Sequence, residues 1–353
     1  MKIRHLSSLA VPQGRARGRR SAGFTLIELV VAMAVFIVIG GAAMSLFKVH
    51  TSQFTDQQNQ VALNTSLRNS LSQIEVDMSN AGTGYYTTVD KASFPIGVTV
   101  ISGGGAGCNA GQTYSAACFD TLNIISTDPA TPPGPPDDGT GSGCTITTGS
   151  PALVIPPAGF TAAQYAAKFN NGDQVLFSSG LNYNTARLNG IPAVAGADVS
   201  LPHYATSLAA TANNGITDPL QISASNDPNL ATQFCAATDW VVKLAPEIIY
   251  GVDLTNPADP QLYRQVGQAG AKVFLADQII GFRIFATLLN NQVASNFAAG
   301  TFNYNQIRTV KVSLIGRTPP NPINTFKNTF DNGPYRIEAL SVTANPRNLS
   351  MND

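Results

Sequence analysis

The most pronounced pattern in the chain is an apolar run from Phe24 to Phe47. These 24 residues would form a helix of roughly 36 Å, longer than the ~30 Å hydrocarbon core of a bilayer. The run holds a single charge, Glu28, and a carboxylate costs roughly 2.5–3.5 kcal/mol inside lipid unless it finds a partner or an interfacial position. The pattern predicts one membrane-spanning helix and excludes a protein with several spans.

A helical pattern continues beyond Phe47, with apolar residues on one face and polar residues on the other. The predicted apolar stripe consists of Phe54, Val61, Leu67, Leu71, Ile74 and Met78. Asn80-Ala81-Gly82 is a helix-stop signal. We therefore expect one helix over about Phe24–Asn80, with residues 48–82 as its amphipathic second half.

Residues 83–353 show the period-2 alternation of strands, clearest where Val310, Val312 and Leu314 alternate with polar neighbours. The predicted strands are Phe94–Ile101, Asp120–Ser126, Ala152–Ile155, Asp173–Ser178, Asp239–Leu244, Glu247–Gly251, Gln261–Val266, Gly281–Leu288, Ile307–Arg317 and Tyr335–Thr343. A short helix is predicted at Ala162–Phe169, and a surface loop without core at the Pro/Gly-rich residues 128–143. Strands without long helices between them favour antiparallel pairing, so the predicted fold class is α+β, with the long helix packed on a β-rich domain.

Charge refines the membrane prediction. The chain has 21 basic and 21 acidic residues, so its net charge is zero, which speaks against specific nucleic-acid binding. Six of the basic residues and no acid lie in residues 1–23, and a basic segment before a span stays in the cytoplasm. A secretory signal peptide carries its small-residue cleavage site after the apolar run, whereas Ala22 and Gly23 precede it.

The segment Arg20-Ser-Ala-Gly-Phe-Thr-Leu-Ile-Glu-Leu-Val30 resembles the processing site of type IV prepilins. The resemblance implies that a membrane-embedded prepilin peptidase and methyltransferase removes the leader, residues 1–23, by cutting between Gly23 and Phe24. Phe24 then becomes an N-methylated N-terminus. The leader of 23 residues is long for the family.

The same resemblance assigns a role to Glu28, which in the family pairs with the terminal amine of a neighbouring subunit and sets the register of the filament. Such a pair matters because a charge buried alone costs more than the pair gains. Two alternatives stay open: pairing with the amine of its own Phe24, or a position at the headgroup level near the helix start. Gly40-Gly41 interrupts the span, either as a flexible point, as the family implies, or as a close helix contact.

The helix end Leu71–Gly82 and the later segments Ile248–Tyr250, Leu262–Arg264, Ala276–Phe282 and Val310–Leu314 are similar to large minor pilins of the PilW type. This implies a minor pilin that waits in the inner membrane as a single-pass protein and later belongs to a pilus. Its partners would be major and minor pilins and a tip adhesin, with roles in pilus priming, twitching, DNA uptake or adhesion. The alternatives are a J-type pseudopilin of type II secretion and a pilin-stemmed adhesin that binds its ligand through residues 100–240.

The four cysteines, Cys108, Cys118, Cys144 and Cys235, form no C-x-x-C motif, which disfavours a zinc site. In a domain outside the cytoplasm disulfides persist. Of the three possible pairings we favour Cys108–Cys118 with Cys144–Cys235, and reduced cysteines are the alternative.

No pattern typical of an enzyme is present, and no cofactor or metal is predicted. The chain lacks a P-loop, an HExxH and a G-x-S-x-G motif, and His50 and His203 lie far apart. Asp253, Asn256 and Asp259 could surround a cation, but their spacing is not that of an EF-hand, and turn-forming side chains are the favoured interpretation.

Overall fold

A computed structural model of the chain describes residues 23–83, 97–103, 114–137, 151–179, 182–202, 239–267, 270–297, 302, 306–320 and 326–346. The chain divides into two compact units, residues 1–55 and 56–353. The predicted leader up to residue 22, three of the cysteines and His203 lie outside the described residues.

The long helix, α1, runs from Leu26 to Ser79 without a break. It begins two residues later than predicted because Thr25 serves as its N-cap rather than as a helical residue. From Gly23 to Phe47 every residue except Gly40 is exposed. Among the described helices α1 alone is long and apolar enough to cross a membrane, with a mean hydropathy of 2.5 in its most apolar window.

The described residues of the β-rich part form sixteen strands, one further α-helix, α2 at Ala162–Ala166, and a short 3-10 turn at Ala116–Cys118. The strands are β1 Val98–Ile101, β2 Thr121–Ile124, β3 Pro136–Asp137, β4 Ala152–Val154, β5 Gln174–Ser179, β6 Asn182–Arg187, β7 Ala193–Ala195, β8 Asp198–Leu201, β9 Trp240–Lys243, β10 Ile248–Asp253, β11 Gln261–Val266, β12 Lys272–Ala276, β13 Ile279–Leu288, β14 Val293–Ala294, β15 Ile307–Arg317 and β16 Ile337–Ala344.

All neighbouring strands within the described sheets pair antiparallel. A five-stranded sheet has the order β1-β2-β10-β11-β12, and a four-stranded sheet has the order β14-β13-β15-β16. A second four-stranded sheet, β3-β4-β8-β7, and a three-stranded sheet, β6-β5-β9, are built from residues between β2 and β10. The α+β fold class predicted from the sequence is confirmed.

The second half of α1 packs on the first two sheets. Leu63, Leu67, Leu71, Ile74 and Met78 lie in one hydrophobic core with residues of β1, β2, β10, β11, β13 and β15. Gly316 of β15 permits the close approach, because a Cβ there would lie 2.7 Å from Cδ1 of Leu63. We call this core, with α1 from residue 56 onward and these two sheets, the scaffold.

Two predicted members of the apolar stripe are wrong. Phe54 and Val61 are 60% and 66% exposed, whereas Leu63, which the prediction omitted, is buried. The buried positions 63, 67, 71, 74 and 78 are spaced by four, four, three and four, which is the helical period. The predicted spacing of six residues between Val61 and Leu67 does not match this helical period.

The second hydrophobic core lies between β2 and β10 in sequence. It contains Ala152, Val154, Tyr165, Ala166, Phe169, Val175, Phe177, Leu188, Val199, Leu201 and Val241. We call residues 128–243, which include this core, the inserted lobe. The predicted core-free loop at 128–143 is wrong for its described part: Pro136 pairs with Val154 in a sheet, and Thr131 is buried.

Candidate processing and assembly site

The predicted scissile bond lies just before the helix. Gly23 and Phe24 are exposed and have no regular secondary structure. A Cβ at Gly23 would have no atom within 4 Å. The predicted scissile segment is therefore exposed to solvent and is not part of the helix.

Thr25 and Glu28 form a reciprocal capping box that fixes where the helix begins. The backbone N–H of Glu28 donates to Oγ1 of Thr25 at 3.3 Å. In return, the backbone N–H and the hydroxyl of Thr25 donate to Oε2 of Glu28 at 3.0 and 3.1 Å. Glu28 therefore occupies the first helical turn, where a carboxylate also favours the helix dipole.

Sequence reasoning missed this box, although its signal is present. Thr25 is followed three residues later by Glu28 at the start of an apolar run, which is the pattern typical of a capping box. Both bonds from Thr25 end on Oε2 of Glu28. Within the described residues, Oε1 has no hydrogen-bond donor.

Gly40 and Gly41 lie inside an unbroken stretch of α1. A Cβ at either position would meet no atom within 4 Å, so neither glycine is required by a contact within the described chain. Flexibility at Gly40-Gly41 and packing against another helix both remain predictions.

The end of α1 is attached to the five-stranded sheet through Asp77, a buried residue of the segment Leu71–Gly82 for which the sequence predicted no role. Oδ2 of Asp77 accepts hydrogen bonds from the hydroxyl of Tyr250 at 2.5 Å and from Nε of Arg264 at 2.7 Å. Gln73 donates to the other oxygen at 3.3 Å. The pairing satisfies a carboxylate that would otherwise be costly to bury.

The electrostatics of this cluster follow from burial and from the ion pair. Burial, reinforced by the neighbouring Asp77 carboxylate, raises the pKa of Tyr250 above its ordinary value. The hydrogen bond to Asp77 raises the pKa of the Arg264 guanidinium. Tyr250 stays a neutral donor and Arg264 a cation at any physiological pH, so the cluster is a structural attachment rather than a proton-transfer site.

Cys118 is disulfide-bonded, but Cys108, Cys144 and Cys235 lie outside the described residues. Cys118 itself lies in a short 3-10 turn, Ala116–Cys118, and is buried in the scaffold. The pairing of the four cysteines therefore stays a prediction.

The three Asx residues considered for a cation form turns and a strand contact instead. Asp253 accepts from the backbone N–H of Thr255 and Asn256 from that of Ala258. Asp259 accepts from the backbone and side chain of Gln278. Within the described residues no group of three or more His, Cys, Asp or Glu side chains is placed to hold a metal ion.

Comparison with known protein families supports the prediction, made from the sequence, that the N-terminal segment resembles that of prepilins. The family described as the prokaryotic N-terminal methylation motif matches residues 18–44. This range includes the predicted scissile bond, the capping box and both glycines. No curated protein matches the chain significantly.

Among solved structures, a type IV-like pilin from Thermus thermophilus is similar to 51% of this chain over 87% of its own length, at 10% identity and a TM-score of 0.18. So low a TM-score carries no argument about this chain. The chain thus carries the prokaryotic N-terminal methylation motif at the start of a long apolar helix, and this helix continues into an antiparallel β-sheet domain.

Proposed function

We propose that the chain is a minor type IV pilin of the PilW kind. Prepilin peptidase cleaves it between Gly23 and Phe24, and the same enzyme methylates Phe24. Before assembly it resides in the inner membrane through residues 24–47, with its leader in the cytoplasm. The observation that carries the proposal is the methylation motif over residues 18–44, joined to an exposed, non-helical scissile segment.

The capping box supports an assembly role for Glu28. Because both Thr25 bonds end on one carboxylate oxygen, the other oxygen can accept from the N-terminal amine of a neighbouring subunit without opening the helix cap. Such an ion pair in a low-dielectric filament core offsets the burial of both charges only when both are present. Subunit assembly then depends on cleavage, which creates the amine.

The direct test is mass spectrometry of the protein from cells with an active prepilin peptidase. We expect a mature N-terminus of N-methyl-phenylalanine derived from Phe24. A Gly23→Val variant should keep its leader, because a branched Cβ at this position obstructs the extended backbone in the cleft. An intact leader on the unsubstituted protein would refute the proposal.

The subunit's place in a filament system is tested by deletion of the gene. Loss of piliation, with restoration by the intact chain, supports a pilus-priming subunit. Loss of protein secretion with normal pili would favour the J-type pseudopilin, and normal assembly with lost surface binding would favour the pilin-stemmed adhesin. The second hydrophobic core is the observation that favours the adhesin alternative, since packing of helices in a filament does not require this second core.

A further inference from the structure

We propose that the inserted lobe, residues 128–243, is a self-contained module displayed by the scaffold, and that the first half of α1 together with the scaffold supports processing and assembly without the lobe. This inference rests on the proposed pilin function. It distinguishes the part of the chain that enters the filament from the part that the filament displays. Three features of the structure support it.

The first feature is that, among the described residues, the two hydrophobic cores have no member in common. Every buried member of the second core lies between Ala152 and Val241. In the scaffold core, every member lies either before residue 125 or after residue 249. The partly buried residues that pack on each core divide in the same way, with Phe160 and Ala162 on the second core. Each part thus has its own source of hydrophobic stabilisation.

The second feature is the narrow connection between the two parts. Strands β2 and β10 are neighbours in the five-stranded sheet, and Ile124 pairs with Ile248. The chain leaves the scaffold after β2 and returns to it before β10 through two antiparallel segments that pair with each other. There Thr127 pairs with Leu244, and the N–H of Ala245 donates to the carbonyl of Ser126 at 2.9 Å. Antiparallel neighbours of this kind can be joined by a two-residue turn, so the scaffold sheet does not require the lobe for its closure.

The third feature is a polar cluster that closes the base of the lobe with residues of the lobe itself. The ammonium group of Lys243 lies 2.8 Å from Oδ2 of Asp173 and 3.5 Å from Oδ2 of Asp128. It also donates to the backbone carbonyl of Lys168 at 2.7 Å. This buried cation is fully compensated inside the lobe, and within the described residues no scaffold side chain takes part.

At the connection, the N–H of Leu244 donates to the carbonyl of Gln174, and this bond crosses the boundary. The favoured disulfide pairing follows the same division in sequence, because Cys108 and Cys118 precede residue 128, whereas Cys144 and Cys235 lie between residues 128 and 243. Long insertions between paired strands add little closure cost, since that cost grows only slowly with loop length. The arrangement fits a filament subunit that exposes an accessory surface without changing its own sheet.

The first experiment replaces residues 128–243 by Asn-Gly, which joins Thr127 to Leu244 through a hairpin turn. We expect the shortened chain to be cleaved before Phe24 and to be recovered in the sheared filament fraction within about twofold of the full chain. A matched deletion of β10 and β11, residues 248–266, should abolish recovery because it removes the centre of the scaffold sheet. If the shortened chain accumulates but, unlike the full chain, is not cleaved or is not recovered in the filament fraction, the inference is overturned.

The second experiment tests the inference on the full-length chain, so it does not require the shortened chain to accumulate. Hydrogen exchange is measured on the detergent-solubilised full chain carrying Phe177→Ala in the lobe core or Phe282→Ala in the scaffold core. Both side chains are buried, so each truncation leaves a cavity. We expect Phe177→Ala to accelerate exchange in β5, β8 and β9 at least about tenfold, while β13 and β15 change less than about twofold.

The two inferences fail in distinguishable ways. If Phe177→Ala accelerates exchange in β13 and β15 as strongly as in β5, the chain is one cooperative unit and the module is refuted, whatever the protein does. If Phe177→Ala accelerates hydrogen exchange in the lobe but not in the scaffold, and the full chain keeps its leader in cells with an active peptidase, the proposed function fails and the modular architecture stands.

Discussion

Two carboxylates on α1 show how one residue type serves two purposes at opposite ends of one helix. Glu28 completes a capping box in an exposed segment. Asp77 is buried and attaches the helix end to the sheet through Tyr250 and Arg264. The first carboxylate has spare hydrogen-bonding capacity for a further subunit, whereas both oxygens of the second are occupied within its own domain.

Removal of the Thr25 hydroxyl should loosen the start of α1. We expect Thr25→Val to lower the free energy needed to open the first helical turn by about 0.5–2 kcal/mol, because the N–H of Glu28 loses its acceptor. The readout is hydrogen exchange of the first-turn amides in micelles, which should accelerate roughly 2- to 30-fold.

Two variants separate the cap from the charge. Thr25→Ser keeps the hydroxyl, and Glu28→Gln keeps the capping box because glutamine serves at that position. Both should leave first-turn exchange close to that of the unsubstituted chain. Equal acceleration in Thr25→Ser and Thr25→Val would show that the hydroxyl does not fix the helix start.

Substitution of Asp77 should be among the more damaging polar changes in the scaffold. Asp77→Asn removes the charge that compensates Arg264, whose side chain is 25% exposed, and weakens the bond from Tyr250. We expect a loss of about 2–4 kcal/mol in unfolding free energy, measured by urea unfolding in detergent. Glu75→Gln on the exposed face of the same helix should change it by less than about 0.5 kcal/mol, and equal losses in the two variants would contradict the assigned contact.

At the scale of elements, helix α1 shows what periodicity can and cannot fix. The apolar run and the stop signal at Asn80 were sufficient to predict a helix over about Phe24–Asn80, close to the observed helix Leu26–Ser79. They were not sufficient to select the buried face before Leu67, because apolar residues such as Val61 also occur on the exposed face. The face is selected by the sheet below, where Gly316 admits Leu63 and Leu67.

A pair of truncations on α1 tests this face. Leu67 is fully buried and Val61 is 66% exposed. Leu67→Ala should cost about 2–5 kcal/mol through lost burial and the cavity left behind. Val61→Ala should stay within about 0.5 kcal/mol. The comparison is made by urea unfolding of the isolated full chain, and a larger effect at Val61 would restore the face predicted from the sequence.

The strands were predicted better than the loops. All ten predicted strands have a counterpart in the structure, and Gln261–Val266 and Ile307–Arg317 have the predicted bounds. The strands missed were β3, β6, β7, β8, β12 and β14, most of them short or polar. β3 lies in a Pro/Gly-rich segment whose Gly134 passes so close to the carbonyl of Ile155 that a Cβ would lie 2.6 Å from it. Composition alone cannot reveal such a long-range approach.

For the whole molecule, acid stability depends in part on Asp253, the last residue of β10 in the five-stranded sheet. Its carboxylate accepts from Lys272 and Thr255, and these contacts hold its pKa at about 2, below the ordinary value near 3.9. A depressed pKa in the folded state contributes stability that is present above about pH 4 and is lost as the pH falls toward 2.

Asp253→Asn should therefore reduce stability only where the carboxylate is charged. We expect a loss of about 1 kcal/mol at pH 6, a small value because Lys272 is 41% exposed and the pair is screened by solvent. The loss should approach zero at pH 2. Urea unfolding across this range is the measurement, and a loss of the same size at pH 2 and pH 6 would rule out the charge as its cause.

The amino-acid sequence by itself determined the features that depend on neighbouring residues: the N-terminal methylation motif, the long apolar helix and the alternation of the main strands. Length, period and residue type encode these locally. Only the tertiary structure decided which face of α1 is buried, that Asp77 meets Tyr250 and Arg264, and that described residues between Ala152 and Val241 share a hydrophobic core of their own. The contacts of Asp77 join residues more than 100 positions apart, and the energy of all these contacts depends on shape and burial that no short stretch of sequence contains.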